Sequence, residues 1–192
     1  MKNITAIGHA MADQYYFADE TGLVSFFTFT AEGVFTLSKS STMMMTGPVK
    51  TVQFFHDNKL SSLKMVAFGD GGPGGKHSFA CMQGGLANCG EIYGSANPLN
   101  TAAVTRAVKT SEKVRIWSGG DSGELFVHDG TPINGAGTVV ERFQGEVIFG
   151  IALNKDTNRV FVVTSGKRIC GYDALTNEKL CEVQGAHSKS IY

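Results

Sequence analysis

Residues 147–185 read VIFGIALNKDTNRVFVVTSGKRICGYDALTNEKLCEVQG, and this stretch decides the fold. Four runs rich in apolar and β-branched residues, Val147 to Leu153, Arg159 to Thr164, Arg168 to Tyr172 and Lys179 to Val183, predict four short strands. Between them lie polar breaks: Asn154-Lys155-Asp156-Thr157-Asn158, then Ser165-Gly166-Lys167, then the Asp and Asn residues of the segment after Tyr172. Asp and Asn tolerate left-handed backbone and bond their own main chain, so each break predicts a tight reversal. Four strands joined by three reversals make one antiparallel sheet.

Upstream, the turn recurs. Glu20-Thr21-Gly22, Asp70-Gly71-Gly72 and Asp121-Ser122-Gly123 precede Ser165-Gly166-Lys167, each closing a β-rich run, at intervals of roughly 45–50 residues. Around the second turn, strands are expected at Val49 to Phe54, Lys64 to Gly69, Lys76 to Met82 and Glu91 to Gly94; around the third, at Thr101 to Thr105, Lys113 to Ser118, Glu124 to His128 and Thr138 to Phe143. The first copy reads as partial, with Gln14 to Ala18, Leu23 to Phe29 and Val34 to Leu37 strand-like and the N-terminal dozen residues unplaced. A fifth copy starts at Ala186-His187. Only Leu99 to Val108 has moderate helix propensity, and its place in the repeat favours strand. The approximate units are 1–45, 46–98, 99–144, 145–185 and the start of another at 186–192.

A copied module of about four strands and this period is the signature of propeller blades, which bury their apolar faces only against neighbours. The expected fold is all-β, an incomplete ring of about three to four four-stranded antiparallel blades. Such a ring exposes two strand-rich faces. A longer chain, pairing with another copy, and association through unpaired edges all remain open as ways of covering them.

Composition narrows the function. Lys plus Arg and Asp plus Glu both number 17, so the net charge is zero and the electrostatic footprint of a nucleic-acid binder is missing. The chain has neither an 18-residue apolar run nor a charged-then-apolar leader, which points to a cytoplasmic protein without a membrane partner and leaves the sequon at Asn3-Ile4-Thr5 idle. Cys81, Cys89, Cys170 and Cys181 form no Cys-x-x-Cys pair, so they read as small apolar residues rather than zinc ligands. Cys170 and Cys181 would lie across a hairpin, but no disulfide is expected between them.

Catalytic chemistry finds no constellation. The five histidines, His9, His56, His77, His128 and His187, are dispersed, and neither a Gly-x-Ser-x-Gly elbow nor a His-Glu-x-x-His helix occurs. The loop Gly69-Asp70-Gly71-Gly72-Pro73-Gly74-Gly75-Lys76 superficially looks like a phosphate cradle, but His77 follows where Ser or Thr is needed and a β-run continues where a helix should start. A long hairpin insertion accounts for it. The reading is therefore a non-enzyme with no cofactor and no metal. Met43-Met44-Met45, between two units, reads as core filling or a blade edge, with an adaptable partner surface as the alternative.

The stretch Tyr172-Asp173-Ala174-Leu175-Thr176-Asn177-Glu178-Lys179-Leu180 resembles the WD-repeat pattern Trp-Asp-x-x-Thr-Gly-x-x-Leu, and Gly185-Ala186-His187 and Gly8-His9 resemble the Gly-His that opens such a blade. The order of features is similar to that of the first propeller of the WD-repeat actin-interacting protein one family. Thr46-Gly47-Pro48-Val49-Lys50 resembles its Ser-Gly-Pro-Val-Lys, and Val66-Ala67-Phe68-Gly69-Asp70-Gly71 its Ala-Val-Gly-Glu-Gly. Trp117-Ser118-Gly119-Gly120-Asp121 resembles its Ser-Gly-Ser-Asp-Asp turn, and Phe126 to Pro132 its Phe-Glu-Gly-Pro-Pro. The resemblance runs over about residues 14–192. It implies a non-catalytic protein-binding scaffold that promotes cofilin-dependent disassembly of actin filaments, with actin and cofilin as partners and the actin cytoskeleton as its place. It further implies that Asp70 and Asp121 match acidic residues important for that activity. The family's phenylalanine is replaced here by Ile133. The alternative is a general WD-repeat scaffold with an unrelated protein partner.

Asp before Gly in a turn is ordinarily a local cap, which by itself accounts for Asp70 and Asp121. The functional reading is that equivalent turns of successive blades emerge on one rim, where two acids form one acidic surface. A third function class, a nucleotide enzyme built on the glycine loop, would reveal itself by a nucleotide-induced thermal shift.

Overall fold

The structure, a computed structural model, describes residues 2–57, 62–70, 78–82, 85–90, 97–105, 114–129 and 137–188. Its sixteen strands among these residues form four antiparallel sheets, each built from four consecutive strands. The first sheet is β1 (Ile4–Met11), β2 (Gln14–Asp19), β3 (Leu23–Phe29) and β4 (Phe35–Met43). The second is β5 (Val49–Asp57), β6 (Ser62–Gly69), β7 (Ser78–Met82) and β8 (Gly85–Gly90). The third is β9 (Leu99–Val104), β10 (Arg115–Gly120), β11 (Glu124–Asp129) and β12 (Thr138–Arg142), and the fourth β13 (Ile148–Asn154), β14 (Arg159–Thr164), β15 (Arg168–Asp173) and β16 (Lys179–Gln184).

The first strand of each sheet meets the first strand of the next, β1 to β5, β5 to β9 and β9 to β13, so the sheets are blades with these strands innermost. Each core lies between two blades. Tyr16, Val24, Met44, Met45, Val52 and Met65 fill the junction of blades 1 and 2. Phe55, Val66, Phe68, Leu99, Ile116 and Phe126 fill the second, and Trp117, Leu125, Ile148, Val160, Val162 and Tyr172 the third. A flat sheet has two apolar faces and no interior of its own, so stacking supplies the hydrophobic stabilisation.

Three expectations change. The first copy is a complete blade, because Ile4–Met11 pairs with β2 as its inner strand. In the second blade the outer strand is Gly85–Gly90, and the expected strand Glu91 to Gly94 lies outside the described residues. The fifth copy contributes no strand among the described residues up to Ser188. Of the methionine triplet, Met44 and Met45 are buried while Met43 is exposed. Cys170 is buried and Cys181 exposed, and both are free; Cys181 pairs in register with Gly171, not Cys170. Among the described residues, no helix is long and apolar enough to cross a membrane.

Candidate functional site

All four recurrent turns join the second strand of a blade to the third, at the rim where the inner strands begin. The first turn residue donates its N–H to the residue just ahead of the inner strand: Glu20 to Asn3 O at 3.0 Å, Asp70 to Pro48 O at 2.9 Å, Asp121 to Pro98 O at 3.0 Å and Ser165 to Val147 O at 2.9 Å. In blades 2 and 3 the preceding residue is a glycine that lies against this backbone. A Cβ on Gly69 would stand 2.1 Å from Pro48 O, and one on Gly120 would stand 2.0 Å from Pro98 O, so neither position admits a side chain. Gly69-Asp70 and Gly120-Asp121 are thus the same device in adjacent blades.

Each inner strand also carries a bulge after its first residue, with register shifts between Ile4 and Ala6, Val49 and Thr51, Leu99 and Thr101, and Ile148 and Gly150. The extra residues are Thr5, Lys50, Asn100 and Phe149. A bulged residue leaves the ladder and its side chain is re-aimed. Here the re-aimed groups reach sideways between blades: Thr5 Oγ1 donates to Val49 O at 2.6 Å, and Asn100 Nδ2 to Ile148 O at 3.3 Å. Asn100 Nδ2 also donates to Asp121 Oδ1 at 2.7 Å, while Lys50 Nζ donates to Asn100 Oδ1 at 2.5 Å.

The rim therefore holds a chain of polar groups, Lys50 to Asn100 to Asp121, crossing from blade 2 to blade 3. Asp121 is exposed and Asp70 half-buried at the matching position one blade away. At Asp121 the carboxylate turns to Asn100, and the turn is capped instead by Ser122 Oγ, which accepts from Glu124 N at 3.2 Å. The capping role falls in blade 1 to Asp19, whose Oδ1 accepts from Thr21 N, Thr21 Oγ1 and Leu23 N. Burial opposes charge on Asp19, yet these donors outweigh it and hold the carboxyl below its ordinary range. Asn100 was not legible as a site residue; aligning Pro48-Val49-Lys50 with Pro98-Leu99-Asn100 would have exposed it.

The Tyr172-Asp173 stretch lies at the opposite rim, at the end of β15, and its role there is architectural. Asp173 Oδ1 accepts from the N–H groups of Leu175 and Thr176, and Oδ2 from Arg159, which together hold the acid below its ordinary range. Asn177, standing where the pattern has Gly, takes φ +66° and binds Arg115 of blade 3 through Oδ1 at 2.6 Å. Tyr172 is buried, with its hydroxyl donating to Glu141 of blade 3; burial first, then that acid, raise it above the ordinary phenol range. Ile133 and the glycine loop after Asp70 lie outside the described residues.

No family model matches the chain, and no curated protein does. Solved structures do. Saccharomyces cerevisiae Sqt1 aligns at 15% identity and a TM-score of 0.69, over 97% of this chain and 52% of its own. Chaetomium thermophilum Sqt1 bound to the N-terminus of the ribosomal protein L10 aligns at 14% identity and 0.69, over 97% and 50%. The Neurospora crassa Pan2 WD40 domain aligns at 12% identity and 0.61, over 95% and 50%. The chain thus spans about half the length of each of them. At these identities the likeness is one of fold, and with the repeated rim geometry it gives the chain the architecture of an open array of β-propeller blades, similar to those of WD40 propellers.

Proposed function

We propose that the chain is a non-catalytic protein-binding scaffold whose recognition surface is the rim carrying Lys50, Asn100, Asp70 and Asp121. The observation that carries this reading is the equivalence of Asp70 and Asp121. Both follow an obligatory glycine, and both are held through their backbone N–H by the carbonyl ahead of the inner strand, so the two acids occupy equivalent backbone positions on one rim. Acids repeated from blade to blade suit a partner segment bearing basic residues, with charge guiding encounter and the rim backbone giving specificity. The fold supports the same reading, since one similar structure was solved with the N-terminus of a ribosomal protein bound.

The narrower reading takes the partner to be the cofilin-decorated actin filament. It is favoured by one observation: the family-like runs Thr46 to Lys50, Val66 to Asp70 and Trp117 to Asp121, far apart in sequence, all reach this rim. The test is double charge reversal, Asp70→Lys with Asp121→Lys. Proteins retained from a lysate by the wild-type chain are expected to be lost to the variant at unchanged circular dichroism. Equal retention would overturn the rim as the binding surface. Co-sedimentation with filaments in the presence of cofilin separates the two readings, because only the narrower one requires the wild-type chain in the pellet.

A further inference from the structure

Aligning the blades on their rim hydrogen bonds shows which faces lack a counterpart. The residue opening each inner strand is Ile4, Val49, Leu99 or Ile148. The last three are fully buried against the preceding blade, whereas Ile4 is 61% exposed. Three residues on, Val52, Ala102 and Ile151 pack into the same junctions, but the equivalent Ile7 is 68% exposed. On the second strand, Tyr15 holds the position by which Met65, Ile116 and Val160 meet the blade before them. Around it Tyr15 stacks on Phe27 at 5.5 Å and Phe27 packs on Phe35 at 4.9 Å, an aromatic surface on the outer face of blade 1.

Blade 4 shows the reciprocal. Four residues before each rim turn stand Tyr16, Val66, Trp117 and Phe161. The first three are buried against the following blade, and Phe161 is 40% exposed. Beside it the register sets Val163, Ile169 and Val183 in one row of the same open face. The chain therefore carries both halves of a fourth junction of the kind it already makes three times, separated at its two ends.

We propose that a second copy of this chain covers both faces. Blade 4 of each copy seats on blade 1 of the other, and the two copies close an eight-bladed ring with two-fold symmetry. Two arguments favour this occupant. The open faces present the same strand positions that already match each other inside the chain, so no new complementarity is needed. Four blades also span about half the length of the similar propellers, and two fours give eight, within the range of closed propellers. This goes beyond the proposed function, and it stands or falls independently of the rim acids.

The test is sedimentation equilibrium of the full chain, with Ile7→Asp and Phe161→Asp as variants. The wild type is expected at twice the 20.5 kDa chain mass. Each variant alone damages both junctions of a symmetric ring and should weaken association by at least about tenfold. Mixing them leaves one junction with two intact faces, so an equimolar mixture should recover the double mass. A monomeric wild type, with the faces covered by other blades or another protein, overturns the proposal. So does an open series of oligomers, loss of association in one variant only, or no recovery on mixing. Should either aspartate variant lose its sheet signal in circular dichroism, Ile7→Ser and Phe161→Ser are read by the same outcomes.

Discussion

At His128, burial and charge are opposed most sharply. Its ring lies 3% exposed in β11, with Nε2 3.5 Å from Ser118 Oγ. Gly137 lies so close that a Cβ there would stand 2.3 Å from the ring. Burial depresses its pKa from 6.5 to about 4. The unfolded chain therefore takes up a proton near pH 6.5 that the folded chain refuses until about pH 4. This stabilising contribution is complete above the higher value and declines as pH falls toward the lower, by on the order of 3 kcal/mol. Urea unfolding midpoints should drop from pH 7.5 to 4.5, and His128→Gln should flatten that drop. Nothing in the sequence singles out this histidine among five. β11 belongs to an interior blade, so both of its faces are covered, and alternation of apolar and polar residues no longer tells which are buried.

At the scale of the element, the third position of three of the rim turns is set by backbone. Gly22 has φ +93°, Gly123 has φ +69° and Lys167 has φ +64°, and each closes its turn with an N–H to the residue three before it. Glycine adopts this conformation freely and lysine does not. Lys167→Gly should therefore stabilise the protein by about 1 kcal/mol, read from chemical unfolding. The recurrence of glycine at these turns is what made the repeat visible, and β14 was readable to the residue because its polar boundaries are sharp. β1 is hard to read from sequence because Gly8 and two alanines dilute its apolar alternation. β8, framed by glycines at both ends, offers little side-chain pattern of any kind.

At the scale of the whole molecule, stability resides in the junctions. Trp117, fully buried in blade 3, faces Tyr172 of blade 4 with ring centroids 5.7 Å apart, and Lys179 lies over Phe143 beside them. Around this centre Lys179 binds Glu141 and Glu182, and Arg168 binds Glu146 and Glu182. Trp117→Ala should cost about 3–5 kcal/mol in equilibrium unfolding, the range for deleting a large buried aromatic. The sequence made the copying of blades legible but not which face of each strand meets which neighbour, since that phase depends on a bulge of a single residue after the start of each inner strand. Likewise Asp70 and Asp121 could be singled out from their turns, while their shared anchorage became evident only with the prolines brought beside them. Because every blade hands over to the next at one rim and always from outermost to innermost strand, a gene coding for this architecture can gain or lose whole modules by unequal recombination. Each such event would bring together strand positions that already meet in the present junctions, with a new set of side chains on them.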